Sequence, residues 1–100
     1  MTLSERDEQI RAVLASRGDD GRTPRRTLFY FYGGNLLGLD SAAAAAGYTV
    51  QPTAKNDGLV LTSMTAVDQQ GFEVHRQRME AWAKQFGCEY DGWECQVMAH

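Results

Sequence analysis

Two prolines, two cysteines and two histidines are all that this 100-residue chain holds of the residues that most often constrain small domains or bind metals. Cys88 and Cys95 do not form a Cys-x-x-Cys pair. With two distant histidines they give no spacing for three or four ligands around a metal ion. A turn separates the two thiols, so no disulfide is expected between them, and a reduced, cytoplasmic setting fits. No apolar run approaches the roughly 20 residues that a membrane span needs. The opening Met1-Thr2-Leu3-Ser4-Glu5-Arg6-Asp7 is polar and acidic, unlike the basic start and apolar stretch of a signal peptide. Positive charge is not in excess: 10 Lys and Arg stand against 13 Asp and Glu, a net charge of −3. The domain as a whole is therefore no polyanion binder, and no DNA partner is expected. Gly33-Gly34 lacks the Lys-Ser/Thr that follows in nucleotide-binding loops. Neither a cofactor nor a resident metal is expected.

What is present is an ordinary globular composition, 43% hydrophobic and 23% charged. A chain of this length makes one domain, 1–100, and buries roughly two thirds of its unfolded surface. Thr2-Leu3-Ser4-Glu5 fits a capping box, with Thr2 as N-cap. Leu3, Ile10, Val13 and Leu14 share one face of the helix that follows, and Gly18 closes it at the end of the segment 1–18. Thr27-Leu28-Phe29-Tyr30-Phe31-Tyr32 is the clearest strand. Apolar side chains on both of its faces predict a central strand covered on both sides, phenylalanines inward and tyrosines outward. Asp40 or Ser41 is expected to cap a short helix through Ala42–Ala46. Tyr48–Pro52 alternates like a half-buried strand, and Pro52 suits an edge. Lys55-Asn56-Asp57-Gly58 signals a hairpin into Leu59–Met64. Thr65 or Asp68 opens a helix with an apolar stripe of Phe72, His75, Met79, Trp82 and Phe86. Trp93, Cys95 and Val97 then alternate in a last strand.

Over 26–98 the order is therefore strand, helix, strand, strand, helix, strand. This predicts an α+β fold of the ferredoxin-like βαββαβ type. Its four-stranded antiparallel sheet would carry the two later helices on one face, and the extra N-terminal helix over part of the other.

Candidate sites are few. His75 lies on an apolar helical stripe and reads as a hydrogen-bonded core or boundary histidine; His100 is the last residue. Neither sits in a nucleophile–base arrangement, so no enzyme is expected. Arg17, Arg22, Arg25 and Arg26 gather around one loop before the central strand, where they could hold phosphates or an acidic segment. With Tyr30 and Tyr32 they sketch a single-stranded RNA-binding face, against which stand the net charge and the absence of a basic, glycine-containing third strand. A dimeric small-ligand-binding regulatory domain is a further alternative. The acidic set is Asp19, Asp20, Glu89, Asp91 and Glu94. If the first turn and the last strand are neighbours, these form one patch suited to an arginine-rich segment. Between them lies Glu89-Tyr90-Asp91-Gly92-Trp93. Asp-Gly marks a turn or bulge, and Tyr90 and Trp93 read either as core aromatics or as anchors of a partner-binding corner.

That closing element, after a helix ending in Phe86-Gly87, resembles the regulator of ribonuclease activity B family. Asp19-Asp20-Gly21, the strand Leu28–Tyr32, Gly47-Tyr48-Thr49-Val50 and Asp57-Gly58-Leu59 also match, so the resemblance runs over nearly the whole chain. Tyr-Asp-Gly-Trp is its distinctive part. It implies a non-enzymatic protein that binds ribonuclease E, or its scaffold region, and inhibits it. Such a protein slows the decay of some RNAs; for this chain a monomer or weak dimer is expected. The contact residues this implies are Tyr90, Asp91, Trp93 and Glu94, with Asp19 and Asp20 alongside. Better-known members are longer and carry a strongly acidic C-terminal tail, whereas this sequence ends at His100; that bears on the target more than on the fold.

Overall fold

In a computed structural model that describes residues 3–98, the alternating strand read from the sequence becomes the middle of the sheet. Here β1 (Arg25–Tyr32) pairs antiparallel with β3 (Gly58–Thr65) on one side and with β4 (Glu89–Cys95) on the other. β2 (Thr49–Pro52) pairs antiparallel with β3 and forms an edge, so the order is β2-β3-β1-β4. Three helices complete an α+β architecture: α1 (Leu3–Ser16), α2 (Leu36–Ala45) and α3 (Gln69–Phe86). The local capping and turn signals of the sequence are largely recovered. Asp68 caps α3 by accepting from the Gly71 amide at 3.2 Å. Thr53 Oγ1 ties the β2–β3 hairpin by accepting from the Gly58 amide at 3.0 Å.

Strand alternation on β1 divides the molecule into two unlike faces. Phe29 and Phe31 point inward and are wholly buried, facing Leu61 on β3 and Trp93 and Tyr90 on β4. Each fully buried phenylalanine is worth roughly 1.5–3 kcal/mol of transfer free energy. Leu39 and Ala43 of α2, Phe72 and Met79 of α3 and Leu14 of α1 join the same cluster. All three helices therefore serve one face of the sheet. The expectation that α1 covers the other face is overturned, and so is the expectation of a β1 covered on both sides. The reason lies in α1's buried stripe, which runs Asp7, Ile10, Leu14, while Val13 is 53% exposed. Asp7 accepts from the Trp93 indole Nε1 at 2.6 Å, and this bond holds α1 on the inner side beside α3.

Most element ends lie within one or two residues of the sequence reading, and two of the differences have a physical reason or consequence. α2 starts at Leu36, not at Asp40 or Ser41, because Asn35 is the cap and accepts from the Gly38 amide at 3.0 Å. Leu36 and Leu39 supply the apolar turn that the alanine run lacks. The preceding Gly34 has φ +69, and a Cβ there would lie 2.3 Å from the Gly87 carbonyl oxygen, so only glycine permits this approach of the loop to the end of α3. The last strand ends at Cys95, and Val97 lies beyond it. The proposed Thr2 cap and His100 lie outside the described residues.

Candidate functional site

The residues singled out near the two chain ends separate into a buried group and an exposed group. Asp19, in the loop after α1, is 2% exposed and Arg25, opening β1, is 1% exposed. Their side chains form a two-pronged ion pair, Arg25 Nη2 to Asp19 Oδ1 at 2.9 Å and Nη1 to Oδ2. Asp19 also accepts from the Gly21 amide at 3.0 Å and the Met98 amide at 2.8 Å. Arg25 donates to the carbonyls of Thr23 and Gln96. The Arg25 guanidinium holds the Asp19 carboxyl well below the usual carboxylate range, with the two amides assisting against burial. The first turn and the end of the last strand are thus neighbours, as the acidic-patch reading required. What joins them is a buried clamp, and Asp19 is not open to a partner. The same clamp removes Arg25 from the basic set, leaving Arg17, Arg22 and Arg26 exposed.

Tyr90 and Trp93 are also interior. Tyr90 is 9% exposed and packs on Phe31 with ring centroids 5.1 Å apart. Trp93 is 6% exposed and packs on Phe72 at 4.4 Å. Burial raises the Tyr90 pKa above its ordinary value, and its hydroxyl has no hydrogen-bond partner among the described residues. Asp20, Asp91 and Glu94 remain at the surface. Asp20 is turned into its own loop, accepting from the Arg22 amide at 3.0 Å.

Asp91 and Glu94 meet at an outer corner that the sequence did not assemble. The β1–β4 register shifts between Tyr30 and Phe31, which makes a bulge at Asp91-Gly92. Gly92 takes φ +105 and faces Tyr30 across the strands. Around it Tyr30, Tyr32, Asp91, Glu94 and Arg6 line a hollow of about 260 Å³ on the outer face. Tyr30 donates its hydroxyl to Glu94 Oε1. Burial, then that carboxylate, pushes the Tyr30 pKa up to about 12, so the hydroxyl keeps its proton through the neutral range. Arg6 reaches from α1 to donate to the Asp91 carbonyl at 3.2 Å. A Cβ on Gly92 would stand 3.3 Å from Arg6 Nη2, so glycine opens the bulge to this guanidinium. The part of Arg6 had no signal in one-dimensional patterning, since it lies 85 residues from its partner. Beyond the corner the outer face continues through Leu28, Val60 and Met64, the last 68% exposed.

Other chemistry-bearing groups are already occupied. His75 Nδ1 lies 2.6 Å from the Tyr48 hydroxyl and Nε2 lies 3.4 Å from Thr65 Oγ1. Burial, with Arg78 nearby, lowers its pKa and keeps the imidazole neutral. Burial pushes both thiols, Cys88 and Cys95, above the ordinary range, away from the reactive thiolate. A groove of about 1130 Å³ between α1 and the start of α3 is crossed by pairs that neutralise its arginines, Arg11 to Glu8 at 2.7 Å and Arg76 to Glu73 at 2.5 Å. Among the described residues no group of three or more His, Cys, Asp or Glu could hold a metal ion. No described helix is long and apolar enough to cross a membrane.

Comparison with known proteins adds the family. The sequence profile described as regulator of ribonuclease activity B matches residues 4–95. None of the curated proteins compared with the chain matches it. The match takes in every strand and helix but the first residue of α1, and the chain belongs to this family.

Proposed function

We propose that this chain is a cytoplasmic, non-enzymatic regulator that binds ribonuclease E, or the scaffold region of that enzyme, and slows its cleavage of RNA. The observation that carries this is the family match over residues 4–95, which gives a regulator of ribonuclease activity. The occupied state of His75 and the raised thiols supports a role without chemistry of its own. The strand order β2-β3-β1-β4 supports a ferredoxin-like arrangement in a single domain, with α1 as an addition to its helical side. Such an arrangement leaves the outer face of the sheet for a partner. Asp91 and Glu94, with Tyr30 and Tyr32 beside them, are the contact residues; Tyr90 and Trp93 build the strand that carries them, and Asp19 anchors its end. Asp20 lies on the surface of the same loop as Asp19 and contributes charge only. Inhibition would come from occupying a surface of the nuclease, by a monomer or a weak dimer.

The test is cleavage of a structured RNA by full-length ribonuclease E from the same organism, with and without this protein. A parallel reaction uses the nuclease trimmed to its catalytic half. Slower cleavage by the full-length enzyme is the expected result, and the trimmed enzyme locates the contact. Unchanged cleavage in both reactions, with the protein shown to be folded, rules out ribonuclease E as the target.

A further inference from the structure

We infer that the outer corner between β1 and β4 is a seat for an arginine side chain on an extended segment of the protein partner, and that the chain's own Arg6 stands at its edge in the free state. The inference rests on the proposed function only in taking the partner to be a protein. Four observations carry it. First, the hollow is of a size for one side chain, about 260 Å³, on an open face. Second, its lining combines two tyrosine rings with the carboxylates of Asp91 and Glu94. A planar guanidinium uses both at once, stacking on an aromatic face while forking to carboxylate oxygens. Third, a guanidinium already stands at its edge. Arg6 lies over Gly92, where any side chain would crowd it, and its one described hydrogen bond is to the Asp91 carbonyl at 3.2 Å. Arg6 makes no ion pair within 4.0 Å among the described residues, so neither carboxylate is neutralised by it. Fourth, the rim is acidic on the β4 side through Glu89, Asp91 and Glu94, and the Glu94 carboxylate has been given a fixed donor in Tyr30, which orients it.

An incoming arginine would take the carboxylates that Arg6 leaves unpaired and would displace Arg6 from the Asp91 carbonyl. The apolar outer residues Leu28, Val60 and Met64 continue the track, so flanking aliphatic residues of the segment gain contact area. RNA fits this corner poorly, since its phosphates would meet the carboxylates of Asp91 and Glu94.

The experiment is a titration of the whole chain, followed by the backbone amide spectrum, with three probes: a synthetic peptide of alternating arginine and leucine, its lysine counterpart, and a single-stranded RNA oligonucleotide. The arginine peptide is expected to move the amides of Tyr30, Tyr32 and Gly92–Glu94 and to bind several-fold more tightly than the lysine peptide. The double variant Asp91→Asn with Glu94→Gln should weaken it by about tenfold or more, the scale of a lost charged hydrogen bond. Arg6→Gln, with its spectrum otherwise intact, should tighten it, because a competitor has gone. Equal affinity for arginine and lysine peptides, or weaker binding to Arg6→Gln, overturns the arginine seat. Shifts on this face with RNA and none with peptide make it a nucleic-acid surface. The nuclease assay separates the two readings: peptide binding at the corner without inhibition sinks the proposed target alone. Inhibition by a chain whose corner ignores the peptide sinks the seat alone.

Discussion

Two acid–arginine arrangements flank the same pair of strands, and they do opposite work. At one end of β4, Asp19 and Arg25 are both enclosed, and each spends its remaining polar capacity on backbone groups of the neighbouring loop and of the segment after β4. On the outer face, along the same strand, Asp91, Glu94 and Arg6 share an open hollow without forming an ion pair. The residue types are alike. Burial makes the first a clamp, since charges taken out of water must be paired and hydrogen-bonded. Exposure leaves the second free to exchange partners at little expense in stability.

The largest effect should come from breaking the clamp on one side only. Arg25→Met leaves the Asp19 carboxylate buried without its counter-ion and should destabilise the fold by roughly 3–5 kcal/mol. The urea midpoint reads this, and adding Asp19→Asn to the same chain should recover part of the loss. A loss no greater than that of a surface arginine would mean that the pair is wet and that the contrast between the two arrangements is false.

Between these extremes lies Asp7, buried at 5% exposure but hydrogen-bonded to Trp93 instead of ion-paired. Trp93→Phe keeps an aromatic side chain against Phe72 but removes the donor and part of the buried indole, and should cost about 2–3 kcal/mol. The two buried carboxylates should also respond to acid with opposite sign. Asp19 has a folded pKa below its unfolded value of 3.8, so its contribution is present above that value and lost as pH falls through the folded one. Burial raises the Asp7 pKa above 3.8, outweighing the Trp93 bond. Its contribution is therefore full below 3.8 and declines as pH rises through the folded value. Asp7→Asn should stabilise the chain at neutral pH by on the order of 1 kcal/mol and flatten stability between pH 4 and 7. Urea midpoints across that range check both signs; a less stable Asp7→Asn at pH 7 would show that the charge itself is needed.

What the sequence made legible follows the same division. Strand alternation separated Phe29 and Phe31 from Tyr30 and Tyr32, because a period of two needs no knowledge of neighbours, and the preference of tyrosine hydroxyls for water or a partner turned the tyrosines outward. The stripe of α3 was legible for the same reason. The side taken by α1 was not, since its buried stripe contains an aspartate whose partner, Trp93, lies 86 residues away. Patterning likewise grouped Asp19 with Asp91 and Glu94 as one acidic set. Only three-dimensional pairing shows that Arg25 had claimed Asp19 while Asp91 and Glu94 had no such claimant. The Tyr-Asp-Gly-Trp element carried the family and mixed two roles: its aromatics are core, and its aspartate and glycine make the bulge that opens the corner.

The smallest stability effect sharpens the comparison most. Glu94→Gln removes a surface carboxylate that accepts from the Tyr30 hydroxyl, and should change stability by less than about 0.5 kcal/mol. It should nevertheless be visible locally. Burial is the main cause of the high Tyr30 pKa of about 12, and the Glu94 carboxylate is the next. Removing the charge should bring the tyrosine part of the way back toward 10, read as tyrosinate absorbance in an alkaline titration of folded protein. A variant that shifts this titration and keeps its urea midpoint would mark the corner as electrostatically tuned but dispensable to the fold, as a contact surface must be. A loss of several kcal/mol would instead give Glu94 the role of Asp19, and β4 would then carry two clamps.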